Sequence, residues 1–147
     1  IDKASSRVKE RLTVLTGKSQ TLLKAADAAL LASGTSAVEG TILGCPMVVA
    51  YKVSPLSWFL AKRLVKLPYV SIANLLVGRE IIPELLQDRC RPEEMAQALL
   101  PLFGDTAERR QMEASLKEAA ELFGEPGASA KVLDIILDEI GATHVRP

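Results

Sequence analysis

Residues 33–39, Ser-Gly-Thr-Ser-Ala-Val-Glu, hold the densest grouping of side chains suited to binding chemistry in this chain. The preceding run, residues 28–32 (AALLA), reads as a buried strand. From Thr35 or Ser36, either of which can cap it, a helix is predicted to about Leu43, stopped by Gly44. The loop therefore falls where a strand ends and a helix begins, the edge of an open α/β sheet at which ligands bind. Small residues at Ser33, Gly34 and Thr35 let backbone N–H groups approach a phosphate, and the helix dipole favours its charge. Glu39 follows one turn into the helix, where a carboxylate can accept hydrogen bonds from both hydroxyls of a ribose. The same spacing has a plainer reading. Ser36 stands three residues before Glu39, which is the S-x-x-E pattern of a capping box. Spacing alone leaves both open.

Other reactive side chains are sparse. Tyr51 and Lys52 close a predicted strand at residues 47–51, on the same edge, although a surface lysine after a buried strand is the plainer alternative. Cys45, Cys90 and His144 are too few, and wrongly spaced, for a metal site. The cysteines read instead as half-buried thiols in a reducing cytosol. His144 sits in the tail beside Pro147 and receives no catalytic role, and no carboxylate has the context of a general base.

These residues need elements to hold them. The pattern predicts the end of a polar helix at 4–11 and a short strand at 12–15 (LTVL) closed by Gly17. A helix at 18–26, the strand at 28–32, the helix to Leu43 and a strand at 47–51 opened by Pro46 follow. Next come a helix at 55–66, a fourth short strand at 69–72, and a helical turn within 79–88 beginning at Pro83. Three helices are predicted at 92–103, 106–123 and 128–140. Strands alternating with helices, and continuous apolar strands without period-two alternation, imply a parallel sheet buried on both faces. The fold class is α/β and Rossmann-like. Residues 1–90 form the binding region, and 91–147 a helical tail belonging to the same domain or packing on a partner.

In the helix at 55–66, Leu56, Phe59, Leu60 and Leu64, continued by Leu67, line one face, with Trp58 at its margin and Lys62, Arg63 and Lys66 nearby. Such a helix suits an anionic membrane surface. A core helix with a solvated basic edge fits the same spacing.

Composition removes several classes. At 147 residues the chain is about one domain or a large piece of one, and its 48% hydrophobic content with zero net charge excludes disorder. The longest uncharged runs, residues 40–51 and 67–78, fall well short of the ~20 residues of a membrane span. Eighteen basic residues balanced by eighteen acidic ones, and 4% aromatics, argue against nucleic acid as a partner. The start at Ile1, with no signal peptide, reads as an internal cut through a longer protein.

The segments LLASGTSAVE, GCPMVVAYK, LAKRLVK, YVSIANLLVGRE and PELLQ, in that order between residues 30 and 87, closely resemble the lipid-A-disaccharide synthases. The resemblance is strong in the middle of the chain and looser at its ends. It implies the C-terminal, UDP-sugar-binding domain of a GT-B glycosyltransferase, whose two Rossmann-like domains enclose the active site. The implied reaction transfers 2,3-diacylglucosamine from UDP to 2,3-diacylglucosamine 1-phosphate. It makes the β-1,6-linked disaccharide with inversion, and without metal or other cofactor. The N-terminal domain and the first strand and phosphate loop of the C-terminal domain are not in these residues, so the piece by itself is expected to be inactive. Further implications are a homodimer exchanging C-terminal segments and a cytoplasmic location, peripheral on the inner membrane of a Gram-negative bacterium.

Carried onto this sequence, the resemblance puts Ser33, Gly34 and Thr35 at the diphosphate and Glu39 at the ribose. Arg79 becomes the candidate cation for the leaving UDP, with Asn74, Glu80 and Gln87 as polar positioning groups near it; an exposed Arg79–Glu80 ion pair is the plainer reading. Two rivals stand beside this assignment. One is another UDP-sugar GT-B transferase, such as that adding GlcNAc to lipid-linked muramyl peptide, against which LAKRLVK and NLLVGRE speak. The other is a non-catalytic piece supplying nucleotide and dimer contacts.

Overall fold

Residues 47–51 (MVVAY) place two adjacent valines after Pro46, and they form the central strand of the sheet. The structure, a computed structural model, describes Val8 and residues 10–64, 67–124 and 127–139. The chain runs α1 (Ser19–Ala25), β1 (Ala29–Leu31), α2 (Thr35–Ile42), β2 (Met47–Tyr51), α3 (Pro55–Leu64), α4 (Ile72–Val77) and β3 (Glu84–Leu86). A 3-10 turn at Gln87–Arg89 leads to α5 (Pro92–Leu99), a second 3-10 turn at Leu100–Leu102, α6 (Ala107–Leu122) and α7 (Ala128–Glu139). Pro101 accounts for the shortened α5, because proline cannot donate to the preceding turn.

The three strands are parallel in the order β1-β2-β3, with Ala29 opposite Met47, Val49 opposite Glu84 and Tyr51 opposite Leu86. Met47, Val48 and Val49 are all fully buried. Successive strand residues point to opposite faces, so both faces are covered. Helix α5 packs on β1 and β2, while α6 packs on α2 and α4 and buries Met112, Leu116 and Ala119. The helices after residue 91, through α6, thus share one core with the sheet. Gly40 allows the closest approach within that core. A Cβ there would lie 2.7 Å from Met47 Cε and 3.2 Å from Leu31 Cδ1.

Three expectations are corrected. Residues 12–15 are not a strand: they pair with no strand among the described residues, and Leu12, Val14 and Leu15 are exposed. Apolar, β-branched composition cannot make a strand without a neighbouring backbone to bond. Residues 69–72 are not a strand either. The Glu84 carboxylate accepts the N–H groups of Val70 and Ser71, each at 2.8 Å, and Ser71 caps α4 instead of extending a ladder. Within 79–88, Pro83 opens no helix. It leads into β3, its carbonyl accepting Val49 N–H at 3.0 Å, and the helical turn comes only afterwards, at Gln87–Arg89. His144, Lys66 and most of the predicted helix at 4–11 lie outside the described residues.

Candidate functional site

The carboxyl ends of three parallel strands converge on one edge, bringing together Ser33, Gly34 and Thr35 after β1, Tyr51 and Lys52 at the end of β2, and Gln87 after β3. Gly34 is the N-cap of α2, at φ 135° and ψ −153°, a conformation open essentially to glycine alone. No side chain caps the helix. The Gly34 carbonyl accepts Ala37 N–H at 3.1 Å and Val38 N–H at 3.3 Å. The Ser36–Glu39 capping box is therefore not formed, because Ser36 lies inside the helix, beyond the cap. Glu39 is half-buried one turn in, and its Oε1 accepts only a long 3.4 Å bond from Gln20 Nε2.

Two links stiffen this edge. Ser33 Oγ donates to the Val70 carbonyl at 3.3 Å, tying the β1 loop to the start of α4. Gln87 clasps the loop after β2: its Oε1 accepts Val53 N–H at 2.8 Å and its Nε2 donates to Val53 O at 3.2 Å. Gln87 holds φ 50°, the one positive value at a non-glycine among the described residues. Such strain persists only where the surroundings fix it, and it clusters at binding sites. Tyr51 and Lys52 are exposed.

Asn74, Arg79 and Glu80 are not brought to this edge. Asn74 is fully buried and its amide is saturated. Its Oδ1 accepts Ile81 N–H at 2.8 Å and Ile82 N–H at 3.0 Å, and its Nδ2 donates to Ile82 O and Glu84 Oε1, both at 2.8 Å. It fastens the chain and has no hydrogen-bonding capacity left for a ligand. Arg79 lies past Gly78, the left-handed C-cap of α4, on the connection leading into β3. There its guanidinium pairs with Glu118 and donates to Ser115 of α6. Glu80, beside it, accepts Glu84 N–H at 3.4 Å.

The sequence reading passed over two features. Glu84, a carboxylate opening a three-residue strand, is buried with three donors on it. A cavity of about 560 Å³ also opens at the carboxyl edge, walled by Tyr51, Val53, Trp58, Tyr69, Leu75 and Leu86 among others. Its wall is assembled from several short pieces of the stretch between residues 51 and 86, separated by residues that line none of it. Away from the edge, burial raises the Cys45 thiol pKa, only partly opposed by Arg109. Bonds to Glu113 and Asp27 raise that of Arg109. Among the described residues no group of His, Cys, Asp and Glu is placed to hold a metal ion.

One sheet edge thus combines a glycine N-cap, a half-buried carboxylate one turn into the helix and an apolar cavity. The profile of the lipid-A-disaccharide synthetase family matches residues 1–133. The chain belongs to that family. Lipid-A-disaccharide synthase of Enterobacter sp. (strain 638) is 53% identical over 105 residues, covering 71% of this chain and 28% of the relative. That of Pectobacterium atrosepticum is 46% identical over 129 residues, covering 86% of this chain and 34% of the relative. The chain thus spans about a third of the length of its lipid-A-disaccharide synthase relatives. The matched residues contain the whole candidate edge.

Proposed function

We propose that these residues form the nucleotide-sugar side of an inverting glycosyltransferase that moves 2,3-diacylglucosamine from UDP to 2,3-diacylglucosamine 1-phosphate. In this reading Ser33, Gly34 and Thr35 receive the diphosphate. The N–H groups of Thr35 and Ser36, at the positive end of α2, stabilise the charge that develops on UDP as its bond to the anomeric carbon breaks. Lys52 adds a cation at the same edge, Glu39 accepts from the ribose hydroxyls, and Tyr51 and Gln87 shape the seat. Asn74, Arg79 and Glu80 act indirectly, by holding α4 and the approach to β3. The observation that carries the reading is the uncapped start of α2 at Gly34 with Glu39 one turn behind it, in a chain of this family.

The test is Glu39→Ala in the full-length enzyme. Loss of the ribose contact is expected to lower kcat/KM for the UDP-sugar at least tenfold, about 1.4 kcal/mol, with melting almost unchanged because no capping box is lost. Unchanged kinetics would refute it.

The reading extends to two surfaces. Leu56, Phe59 and Leu60 of α3 are exposed, as is Leu67 beyond it, and the Arg63 guanidinium lies 5.9 Å from the Phe59 ring centroid. An apolar face with a basic neighbour favours contact with the anionic cytoplasmic face of the inner membrane over burial in a core. No helix among the described residues is long and apolar enough to cross a membrane. On α7, Val132, Leu133, Ile135 and Ile136 are exposed, a face suited to a second copy of the chain in a homodimer.

A further inference from the structure

We propose that the cavity beside β2 and β3 holds one acyl chain of the lipid-bearing nucleotide sugar, an assignment that rests on the function proposed above. Its volume, about 560 Å³, falls among cavities that bury a small ligand. Its wall is apolar almost throughout: Val53, Trp58, Leu67, Val70, Leu75 and Leu86 surround a space in which Tyr51 and Ser57 are among the few polar side chains. A carbohydrate or a phosphate would find few partners there, whereas an alkyl chain needs none.

Position narrows the occupant further. Val70 is a wall residue, and its carbonyl accepts the hydrogen bond from Ser33, so the diphosphate loop and the cavity share one boundary. Tyr51 lines the cavity while Lys52, the next residue, stands at the nucleotide edge. The Gln87 clasp on Val53 fixes the opposite wall relative to that edge. A ligand seated at Gly34 with a lipid substituent on its sugar therefore meets an apolar recess within one residue of its polar seat. The arrangement assigns Trp58, Leu75 and Leu86 a part in discriminating acyl-chain length.

Trp58 is the single tryptophan of these residues, so the part of the quenching that Trp58→Phe abolishes reports occupancy of the cavity. The experiment titrates the full-length enzyme with brominated fatty acids of increasing length, below their micelle concentrations. It follows contact quenching, with Trp58→Phe as the signal control, and measures UDP binding in parallel by calorimetry. Saturable quenching is expected, with affinity rising about fourfold per methylene until the cavity is full. Leu67→Gln, an exposed position on the wall, should weaken it at least tenfold, and Leu75→Phe should shorten the preferred chain. Leu56→Ser, on the exposed face of α3 outside the cavity, should leave it unchanged. Quenching that never saturates, or that Leu56→Ser reduces as much as Leu67→Gln does, would mean adsorption on α3 and overturn the proposal. UDP binding without fatty-acid binding overturns the cavity assignment alone. Fatty-acid binding without UDP binding overturns the nucleotide reading, and with it the identity of the occupant.

Discussion

Replacing Asn74 by alanine separates a ligand contact from a structural one. The substitution strips partners from three backbone groups, the N–H of Ile81 and both the N–H and C=O of Ile82, and removes one of the donors on Glu84. Ile81 and Ile82 are buried, so water cannot replace what is lost without opening the core. An orphaned buried group costs ~1–3 kcal/mol, so the three backbone groups alone come to at least ~3 kcal/mol, before the small void is added. That is a large share of the ~5–15 kcal/mol that holds a domain together. Urea unfolding followed by circular dichroism should show a lower midpoint at constant slope. Asn74→Asp sharpens the test. It keeps an acceptor for the two N–H groups but sets a second carboxylate against Glu84. Two such groups hold one proton between them, which raises a folded-state pKa above its unfolded value. Stability of that variant should be highest below the unfolded carboxylate pKa and be lost as pH rises through the folded one. A loss under ~1 kcal/mol in Asn74→Ala, joined to a collapse of UDP affinity, would refute the structural role and return Asn74 to the ligand.

Three more outcomes are expected. Gly40→Ala should shift stability by under ~1 kcal/mol, read from the urea midpoint, because the atoms in its way are the mobile ends of Met47 and Leu31 and alanine favours the helix over glycine. Cys45, whose thiol pKa is pushed up by burial, should react with a thiol reagent far more slowly than the partly exposed Cys90. The same shift makes Cys45 contribute stability that is complete below the unfolded thiol pKa and is lost as pH rises through the folded one, visible as a fall in melting temperature in alkaline buffer. Changing Lys62, Arg63 and Lys66 together to Gln should weaken co-sedimentation with anionic vesicles by ~1 kcal/mol for each residue near the surface, most at low salt, and leave neutral vesicles unaffected.

The central strand was legible to the residue, since a β-branched run after Pro46 and before a polar loop admits little else. The strand–loop–helix at 28–43 was legible too, and it places Ser33, Gly34, Thr35 and Glu39 at the carboxyl edge of the sheet without any tertiary information. What escaped was set by side chains acting at a distance. Glu84 makes β3 look polar and short, and its carboxylate turns the β-branched stretch at 69–72 into a helix cap. Asn74 and Arg79 sit close together in a segment that looks like a site, yet one points into the core and the other pairs with α6. Hydrophobic spacing on α3 could not tell a core face from an exposed one. That depends on what else packs nearby, and here Leu56 remains 70% exposed.

The parallel register also dictates an order of assembly. Pairing Val49 with Glu84 closes a stretch of chain about twice as long as pairing Ala29 with Met47. Closure entropy makes the longer loop costlier by ~0.6 kcal/mol. The β1–α2–β2 unit is also nearer the N-terminus and leaves the ribosome first. The glycine cap is therefore shaped while the second edge of β2 is still bare. Until β3 arrives, Val49 offers its N–H to any strand that passes. The Asn74–Glu84 network, formed only on that arrival, is what holds β3 in place and leaves the central strand paired on both sides, so variants that weaken it should aggregate during synthesis before they are seen to melt.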